Sequence, residues 1–307
     1  MSTDPPCLVV IAGPTASGKT QCGIELAEEF RGEIVSADSV QIYRYLDIGS
    51  AKPTPEQRSR VTHHMLDIRD PDEDFTAGDY VREARERIRD IHARGMVPLV
   101  VGGTGLYIRL LLGGIADLPP KNAALRRRLR QEEEERPGSL FELLLTLDPE
   151  TARSTAPHNL VRIVRALEVH ELTGRSFSDV GREHALRDRP YRPLLVGISP
   201  ERQVLYERID TRVDGMVKDG LFEEVERLYQ RGFTWDLKPM QSLGYRHAGM
   251  ALAGEMDKHE AIRLMKRDTR HFAKRQLTWF RSEPDTLWFD PEGRARIRFA
   301  VANFLGL

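Results

Sequence analysis

Cysteine is scarce and long apolar runs are missing in this chain of 307 residues. The two cysteines, Cys7 and Cys22, lack further ligands at metal-binding spacing, so we expect reduced thiols of the kind found in cytoplasmic proteins. Apolar stretches such as Leu8–Ala12 and Val97–Val101 are far too short to span a bilayer. The polar segment 1–6 lacks the hydrophobic run of an export signal. We therefore expect a cytoplasmic protein with no membrane partner.

An excess of positive charge is also missing, because 46 Lys and Arg residues face 47 Asp and Glu residues and give a net charge of −1 at pH 7. This balance argues against a generally cationic nucleic-acid binder. It does not exclude a local basic surface, since binding to phosphates depends on the local field. The 40% apolar and 30% charged residues are typical of an ordered globular chain. At this length it forms one large domain or a core with an insert.

Short apolar runs alternate with helical patterns along much of the chain. The predicted strands are Cys7–Ala12, Glu33–Ser36, Val97–Val101 and Leu194–Ile198, and the first predicted helices are Gln21–Phe30 and Asp79–Arg94. Continuous apolar runs are typical of parallel strands that are buried on both faces. The sequence therefore predicts an α/β fold, in which a parallel sheet is flanked by helices.

Strand signals vanish between about Ala116 and Pro193, where prolines mark both edges. The helical patterns of this region are Ala123–Glu135, Leu140–Leu147 and Leu160–Leu172. We expect a helical insert at 116–193 within a core made of 1–115 and 194–307. In the core, helices are expected to follow the last strand as far as about Ser282.

A glycine-rich segment follows the first predicted strand and opens a predicted helix. It reads Gly13-Pro14-Thr15-Ala16-Ser17-Gly18-Lys19-Thr20 and fits the phosphate-loop pattern G-x-x-x-x-G-K-[ST]. In such a P-loop, backbone N–H groups converge on phosphate oxygens at a helix N-terminus. Lys19 would supply a positive charge at the distal phosphate, and the hydroxyl of Thr20 would be a ligand for Mg²⁺. The alternative is a glycine-rich turn without a ligand.

The kind of polyphosphate is left open by this loop, because ATP, GTP and an isoprenoid diphosphate present the same oxygens. No N-K-x-D motif for guanine occurs, and the run Val97–Val101 ends in Gly-Gly-Thr instead of the usual Asp that holds Mg²⁺. An apolar run followed by Asp occurs at Ile34–Asp38, which continues as Ser39-Val40-Gln41.

Longer blocks of the sequence carry a family resemblance from about residue 8 to residue 281. In chain order they read GPTASGKT, SADSVQIYRYLDIGSAKPT, HHMLDIRDP, LVVGGTGLYIRLLLGG, NLVRIVRALEVHELTGRS, RIDTRVDGMVKDGLFEEV, MQSLGYRH and TRHFAKRQLTWFR. Together these blocks resemble the tRNA dimethylallyltransferases. The resemblance implies transfer of a dimethylallyl group from dimethylallyl diphosphate to N6 of adenine 37 beside the tRNA anticodon, with Mg²⁺ as cofactor and a monomeric enzyme.

The same resemblance assigns roles to three residues near the predicted strand ends. Asp38 matches the acidic residue that takes the proton from the attacking amino group, and Arg212 matches an arginine that contacts the diphosphate. Thr104 would orient Asp38 or the adenine. Simpler roles also fit, with Asp38 as a turn cap, Arg212 as a surface arginine and Thr104 as a helix N-cap.

A basic, aromatic-containing helix is the expected RNA surface, because Ala261–Arg281 carries seven Lys and Arg residues against one acid, Asp268. The residues predicted to contact tRNA are Asp38, Ser39, Val40, Gln41, Thr104, Arg126, Arg162, Arg165, Gln241, Gly244, Tyr245, Arg246, Arg270, Lys274, Arg275, Gln276, Trp279 and Arg281. A solvated helix face is the alternative for the basic run. For Tyr245 the alternatives are a platform that stacks on a base and a core tyrosine.

Other interpretations remain open at this point. The pair His63–His64 fits packing better than metal binding, since no third ligand lies at metal spacing. A P-loop kinase acting on a nucleotide or small alcohol is the second enzyme hypothesis. A non-catalytic RNA-binding protein that is gated by a nucleotide is a third, although the sequence shows no sensor for a γ-phosphate.

Overall fold

The computed structural model describes residues 5–116, 118–184 and 188–307. The first four residues of the polar segment 1–6, and positions 117 and 185–187 of the predicted insert, lie outside the described residues. The chain divides into two compact units, Met1–Leu112 with Pro190–Leu307, and Gly113–Arg189. No helix in the described ranges combines the length and the apolarity that a bilayer crossing requires.

The larger unit is built on one six-stranded sheet in which every strand pair is parallel. Its strands are β1 (Cys7–Ala12), β2 (Gly32–Ala37), β3 (His63–His64), β4 (Val97–Gly102), β5 (Arg192–Ile198) and β6 (Thr286–Phe289). The strand order is β3-β2-β4-β1-β5-β6. The central strands are apolar throughout because helices cover both faces of the sheet. The prediction of an α/β fold with a parallel P-loop sheet is confirmed.

Helices of the larger unit pack on this sheet or on one another. They are α1 (Lys19–Glu29), α2 (Pro55–Arg60), α3 (Ala77–Ala93), α4 (Gly105–Gly113), α10 (Arg202–Lys218), α11 (Leu221–Gln230), α12 (Tyr245–Leu252), α13 (Lys258–Arg281) and α14 (Arg294–Leu305). A 3₁₀ turn at Lys238–Gln241 precedes α12. Both cysteines are free, and Cys22 of α1 is buried in the core beneath β1 and β4.

In its described residues, the smaller unit contains helices joined by loops and no strand. It contains α5 (Ala123–Glu135), α6 (Ser139–Leu147), α7 (Pro149–Arg153), α8 (Leu160–Thr173) and α9 (Phe177–His184). Its own apolar core joins residues from four of these helices, among them Leu129, Leu140, Ala152 and Ile163.

The carboxyl ends of three neighbouring strands lie level with one another. Gly102 at the end of β4 pairs in register with Ala12 of β1 on one side and with Ala37 of β2 on the other. The loops that leave these strands therefore start side by side, at the sheet edge where open α/β folds bind ligands. These loops carry the P-loop after β1, Asp38 after β2 and Thr104 after β4.

Candidate active site

The P-loop has the backbone geometry that its glycines predict. Gly13 has φ of 156°, and a Cβ at this position would lie 2.6 Å from the carbonyl oxygen of Ile198. Gly18 has φ of 90° and caps α1, so that the loop turns directly into the helix. Ser17 is fully buried between them, and its hydroxyl has no hydrogen-bond partner among the described residues. The loop thus presents backbone N–H groups and a helix N-terminus at the sheet edge.

Two cationic side chains converge beside this loop. Burial, followed by the nearby positive charge of Arg212, lowers the pKa of Lys19 to about 8, although Asp38 acts in the opposite direction. Burial also lowers the pKa of Arg212, whose Nη1 donates to Thr15 Oγ1 at 3.4 Å. Lys19 Nζ donates to the carbonyl of Pro14 at 3.0 Å. Two desolvated positive charges repel each other, so the binding of an anion between them is favourable.

Asp38 lies at the turn that follows β2. Its Oδ1 accepts the backbone N–H groups of Val40 at 2.9 Å and of Gln41 at 3.3 Å, so the capping role is real. In the described part of the chain, Oδ2 accepts no hydrogen bond. One carboxylate oxygen therefore fixes the orientation of the group, and the other is left to act on a ligand.

Thr104 connects the end of β4 to this turn. Its backbone N–H donates to the carbonyl of Ala37 at 3.1 Å, and its Oγ1 accepts the backbone N–H of Ser39 at 3.1 Å. Thr104 also stands immediately before α4. Its side chain thus holds the residue that follows Asp38, and in this way it positions the carboxylate.

One cavity of about 600 Å³ joins these groups. Its walls include Thr15, Lys19 and Thr20 from the P-loop, and also Asp38 and Thr104. Arg212, Ser39, Val40, Gln41, Gln241, Gly244, Arg246, Arg275 and Gln276 complete the predicted residues that line it. An anion-binding loop and a carboxylate therefore open into the same space.

Comparisons with known proteins show the family of the chain. The family model described as IPP transferase matches residues 41–283. A tRNA dimethylallyltransferase of Syntrophotalea carbinolica is 47% identical over 98% of this chain and 96% of its own length. The chain belongs to the tRNA dimethylallyltransferase family.

Solved structures in the family have the same fold. The tRNA isopentenylpyrophosphate transferase of Bacillus halodurans superposes with a TM-score of 0.73 at 38% identity, covering 97% of this chain and 96% of that one. A eukaryotic dimethylallyltransferase described as acting on tRNA gives 0.81 at 29% identity, covering 93% and 74%. The expected membership of a prenyltransferase family is thereby confirmed, and the kinase hypothesis is not favoured.

Gln276, predicted to contact tRNA, is only slightly exposed, and its side chain is already hydrogen-bonded within the protein. The side-chain oxygen accepts the backbone N–H of Thr15 at 2.9 Å, and the side-chain nitrogen donates to the carbonyl of Gly103 at 2.9 Å. A direct hydrogen bond to tRNA would have to break one of these contacts. Gln276 instead joins the P-loop to the end of β4.

Tyr245 corresponds to the core alternative and not to the stacking platform. Its ring is fully buried, and its hydroxyl donates to Glu224 Oε1 at 2.6 Å. Glu224, itself buried, also accepts backbone N–H groups at positions 47–49, at distances from 2.8 to 3.2 Å. The pair ties the loop around Gly49, which lines the cavity, to the start of α12. A buried ring cannot stack on a base, so the prediction of direct contact was wrong for this side chain.

The basic helix α13 is more neutral than its sequence suggests. Ion pairs with carboxylates hold Arg263, Lys266, Arg267 and Arg270; for example, Lys266 Nζ lies 2.7 Å from Asp214. Within the described residues, the cations of the basic run 261–281 without such an ion pair are Lys274, Arg275 and Arg281. The positive charge of this run that is available to a partner therefore lies in the last turns of the helix.

An open groove of about 680 Å³ runs along these last turns. It is lined by Lys274, Arg275 and Trp279 of α13 and by Arg109 of α4. The guanidinium of Arg109 lies 4.1 Å from the centre of the Trp279 ring, and Glu283 pairs with the same arginine. Arg275 also lines the central cavity, so that the groove and the cavity share a wall.

The three predicted arginines of the smaller unit differ in how far contacts within the protein occupy them. Arg126 and Arg165 both contact Glu168, which is fully buried, at 2.6 to 2.7 Å. Burial opposes ionisation of Glu168, but the hydrogen bonds from Arg126 and its neighbours lower the pKa of this carboxyl to about 2. Arg162 is exposed and contacts Ser154 at 3.3 Å. Arg162 is therefore the most accessible of the three, and contact with tRNA stays a prediction for all of them.

The histidine pair contributes to packing. His63 Nδ1 lies 2.7 Å from the carbonyl of Val61, and His64 Nε2 lies 2.6 Å from Glu33. Across residues 5–116, 118–184 and 188–307, no group of three His, Cys, Asp or Glu side chains is arranged to hold a metal ion. Both histidines thus make the hydrogen bonds that the packing interpretation predicts.

Several cavity residues were not predicted from the sequence. Met265, Asp268, Thr269 and Phe272 line the cavity from α13 together with Gln276. These positions follow the i, i+3, i+4, i+7, i+11 spacing of one helix face. The sequence contains that periodicity, but the basic residues between these positions mask it.

Proposed function

We propose that this chain transfers the dimethylallyl group of dimethylallyl diphosphate to N6 of adenine 37 in tRNA, releasing diphosphate. The observation that carries the proposal is the single cavity in which the P-loop faces Asp38. In the transfer reaction, the amino group of the acceptor attacks the donor carbon from which the diphosphate departs, so both groups must lie at that carbon. A cavity with an anion site on one side and a carboxylate on the other meets that requirement.

The donor's diphosphate binds at the P-loop in this proposal. Backbone N–H groups of the loop, with Lys19 and Arg212, surround its oxygens. The C1–O bond of the donor breaks as the new bond forms, and the negative charge moves onto the departing diphosphate. Preorganised positive charge at that place stabilises the transition state.

Mg²⁺ fits this site as a partner of the diphosphate. The hydroxyl of Thr20 lines the cavity and is a hard oxygen ligand, whereas no multi-carboxylate cage is present in the described residues. One protein oxygen is enough, because Mg²⁺ in phosphate sites takes most of its ligands from phosphate and water. When bound, it would neutralise charge on the diphosphate.

The acceptor enters from the side of Asp38. The adenine must leave its stack before N6 can reach the donor. N6 then attacks C1, and Asp38 Oδ2 takes the proton that the amino group loses. Thr104 keeps the carboxylate in place through its hydrogen bond from Ser39.

The surrounding RNA would lie on the groove of Lys274, Arg275 and Trp279, next to the cavity. We assign the anticodon stem-loop to this surface and to the helical unit, with Arg162 as its most accessible arginine. The predicted domain division and its role in tRNA binding belong to the same proposal. The monomeric state and the cytoplasmic location stay predictions.

A transfer assay tests the proposal. The protein is mixed with radiolabelled dimethylallyl diphosphate and bulk tRNA without ATP, and label should become acid-precipitable. Lys19→Ala, folded according to its melting curve, should lose this activity because a phosphate-facing charge is gone. Turnover of ATP to ADP with no transfer of label would replace the proposal with the kinase hypothesis.

A further inference from the structure

The side chain of Gln276 is 8% exposed and joins the two halves of the cavity. Its amide accepts a hydrogen bond from Thr15 of the P-loop and donates one to Gly103, each at 2.9 Å. A Cβ at Gly103 would lie 2.3 Å from the amide nitrogen, so any larger residue at this position would displace the amide. A primary amide suits this position at any pH, since it is donor and acceptor at once.

Each end of the Gln276 amide continues to a group with a role in transfer. On the donor side, the hydroxyl of Thr15 accepts Arg212 Nη1 at 3.4 Å. On the acceptor side, Gly103 is followed by Thr104, whose hydroxyl accepts the N–H of Ser39 at 3.1 Å, directly after Asp38. A continuous path of hydrogen bonds and short chain segments thus runs from the cation at the diphosphate to the carboxylate at the amine.

We propose that Gln276 is a positioning residue that sets the separation between the P-loop and the Asp38 turn. This inference rests on the proposed function, because the separation matters only if both substrates react in the cavity. Reaction between two bound groups depends steeply on their geometry, and a misplacement of about 1 Å costs on the order of 100-fold in rate. Gln276 lies on α13, so the helix that carries the RNA groove also supports the donor site.

The test compares Gln276→Met and Gln276→Glu with the wild type. Gln276→Met keeps the length but loses both hydrogen bonds, and we expect single-turnover transfer at saturating substrates to fall about 100-fold. Its affinity for inorganic diphosphate should also fall, because the N–H of Thr15 is no longer held. Affinity for tRNA should stay within about threefold of wild type, since a buried amide makes no RNA contact. Gln203→Met, at an exposed glutamine of α10, is the matched control and should change none of these quantities.

A pH series on Gln276→Glu adds a readout that a purely structural role would not move. A protonated carboxyl can donate to the Gly103 carbonyl, whereas a carboxylate cannot. The transfer rate of this variant, divided by that of wild type at the same pH, should therefore rise as the pH falls. The division removes the titration of groups that both proteins share. A flat ratio would overturn the positioning role.

The outcomes separate this inference from the proposed function. If the wild type transfers label, and Gln276→Met has the same transfer rate and the same diphosphate affinity, the inference alone is overturned. Weaker tRNA binding with a normal rate at saturation assigns Gln276 to direct RNA contact and also overturns it. No transfer by wild type defeats the proposed function, and the diphosphate titration then still reports whether Gln276 holds the P-loop. If Gln276→Met fails to melt cooperatively, the pH series decides.

Discussion

The unpaired cations near the end of α13 lead to a prediction that separates a working RNA surface from a solvated helix. Lys274 is exposed and forms no ion pair among the described residues, whereas Lys266 on the same helix pairs with Asp214 at 2.7 Å. Lys274 lines the groove but not the central cavity. Replacing each lysine by alanine therefore removes one positive charge, in Lys274 an unpaired charge and in Lys266 a charge held in an ion pair.

The expected magnitude follows from counterion release. A lysine that neutralises one phosphate contributes about 0.7 to 0.9 to the slope of log affinity against log salt concentration. Loss of Lys274 should lower the slope by nearly one, so between about 50 and 200 mM salt the affinity ratio of wild type to variant shrinks roughly threefold. Lys266 is already neutralised by Asp214, so its removal should leave the slope close to that of wild type.

The assay is a salt series of tRNA binding for wild type, Lys274→Ala and Lys266→Ala. Affinity for dimethylallyl diphosphate, measured by calorimetry, should be the same in all three, because neither lysine lines the cavity. Equal slopes for the three proteins would refute the RNA surface at this end of α13. A loss of donor affinity in Lys274→Ala, with tRNA binding unchanged, would place this lysine in the donor site instead.

Three further predictions concern the cavity. Asp38→Asn should lower single-turnover transfer by roughly 10²–10⁴-fold while tRNA affinity changes far less; a near-normal rate would leave Asp38 with its capping role only. The pKa of Lys19 is about 8, so above that pH Lys19 must take up a proton when the donor binds. The affinity for the donor should therefore fall as the pH rises, by up to about tenfold per pH unit. Calorimetry in buffers of different ionisation enthalpy measures that uptake, and Lys19→Arg, which stays protonated, should flatten the dependence. Tyr245→Phe removes one hydrogen-bond donor from buried Glu224 and should lower the free energy of unfolding by about 1–3 kcal/mol in urea titrations. The salt slope of tRNA binding should not change. A stable variant with weakened tRNA binding would instead support the stacking role.

The sheet was predictable where strands are long and buried. The four predicted strands are all present, with ends within two residues of the predicted ones, because a continuous apolar run beside a glycine-rich turn is typical of a buried parallel strand. β3 and β6 were not predicted. β3 has two residues, too few for any periodicity, and β6 has four, with Leu287 exposed. Edge strands of this kind are defined by their neighbour in the sheet, which the sequence does not specify.

The site was predictable where a motif fixes a backbone. The P-loop, Asp38 and Thr104 come together because each follows a parallel strand whose end lies level with the others. Residues that come from distant helices were not predictable in the same way. The link from Gln276 to Thr15 joins positions 261 residues apart, and the link from Tyr245 to Glu224 joins two successive helices; one sequence alone does not show such pairs.

The basic run of α13 shows why local charge in a sequence overstates a binding surface. Its first turns contact α10, which supplies Asp210 and Asp214 as partners for Arg270 and Lys266. Those carboxylates are more than 50 residues away in sequence, so the run reads as a continuous cationic face although its first half is neutralised. Among the described residues, the unpaired cations Lys274 and Arg275 lie towards the end of the helix and line the groove, and Arg275 also lines the cavity that contains Asp38. Under the proposed function, a surface of few charges would release few counterions, so its binding of tRNA should depend only modestly on salt, and its contacts would orient one nucleotide at the cavity instead of holding a long stretch of backbone. The near-zero net charge of the chain is consistent with that proposal, since binding at one place requires positive charge there and not over the whole protein.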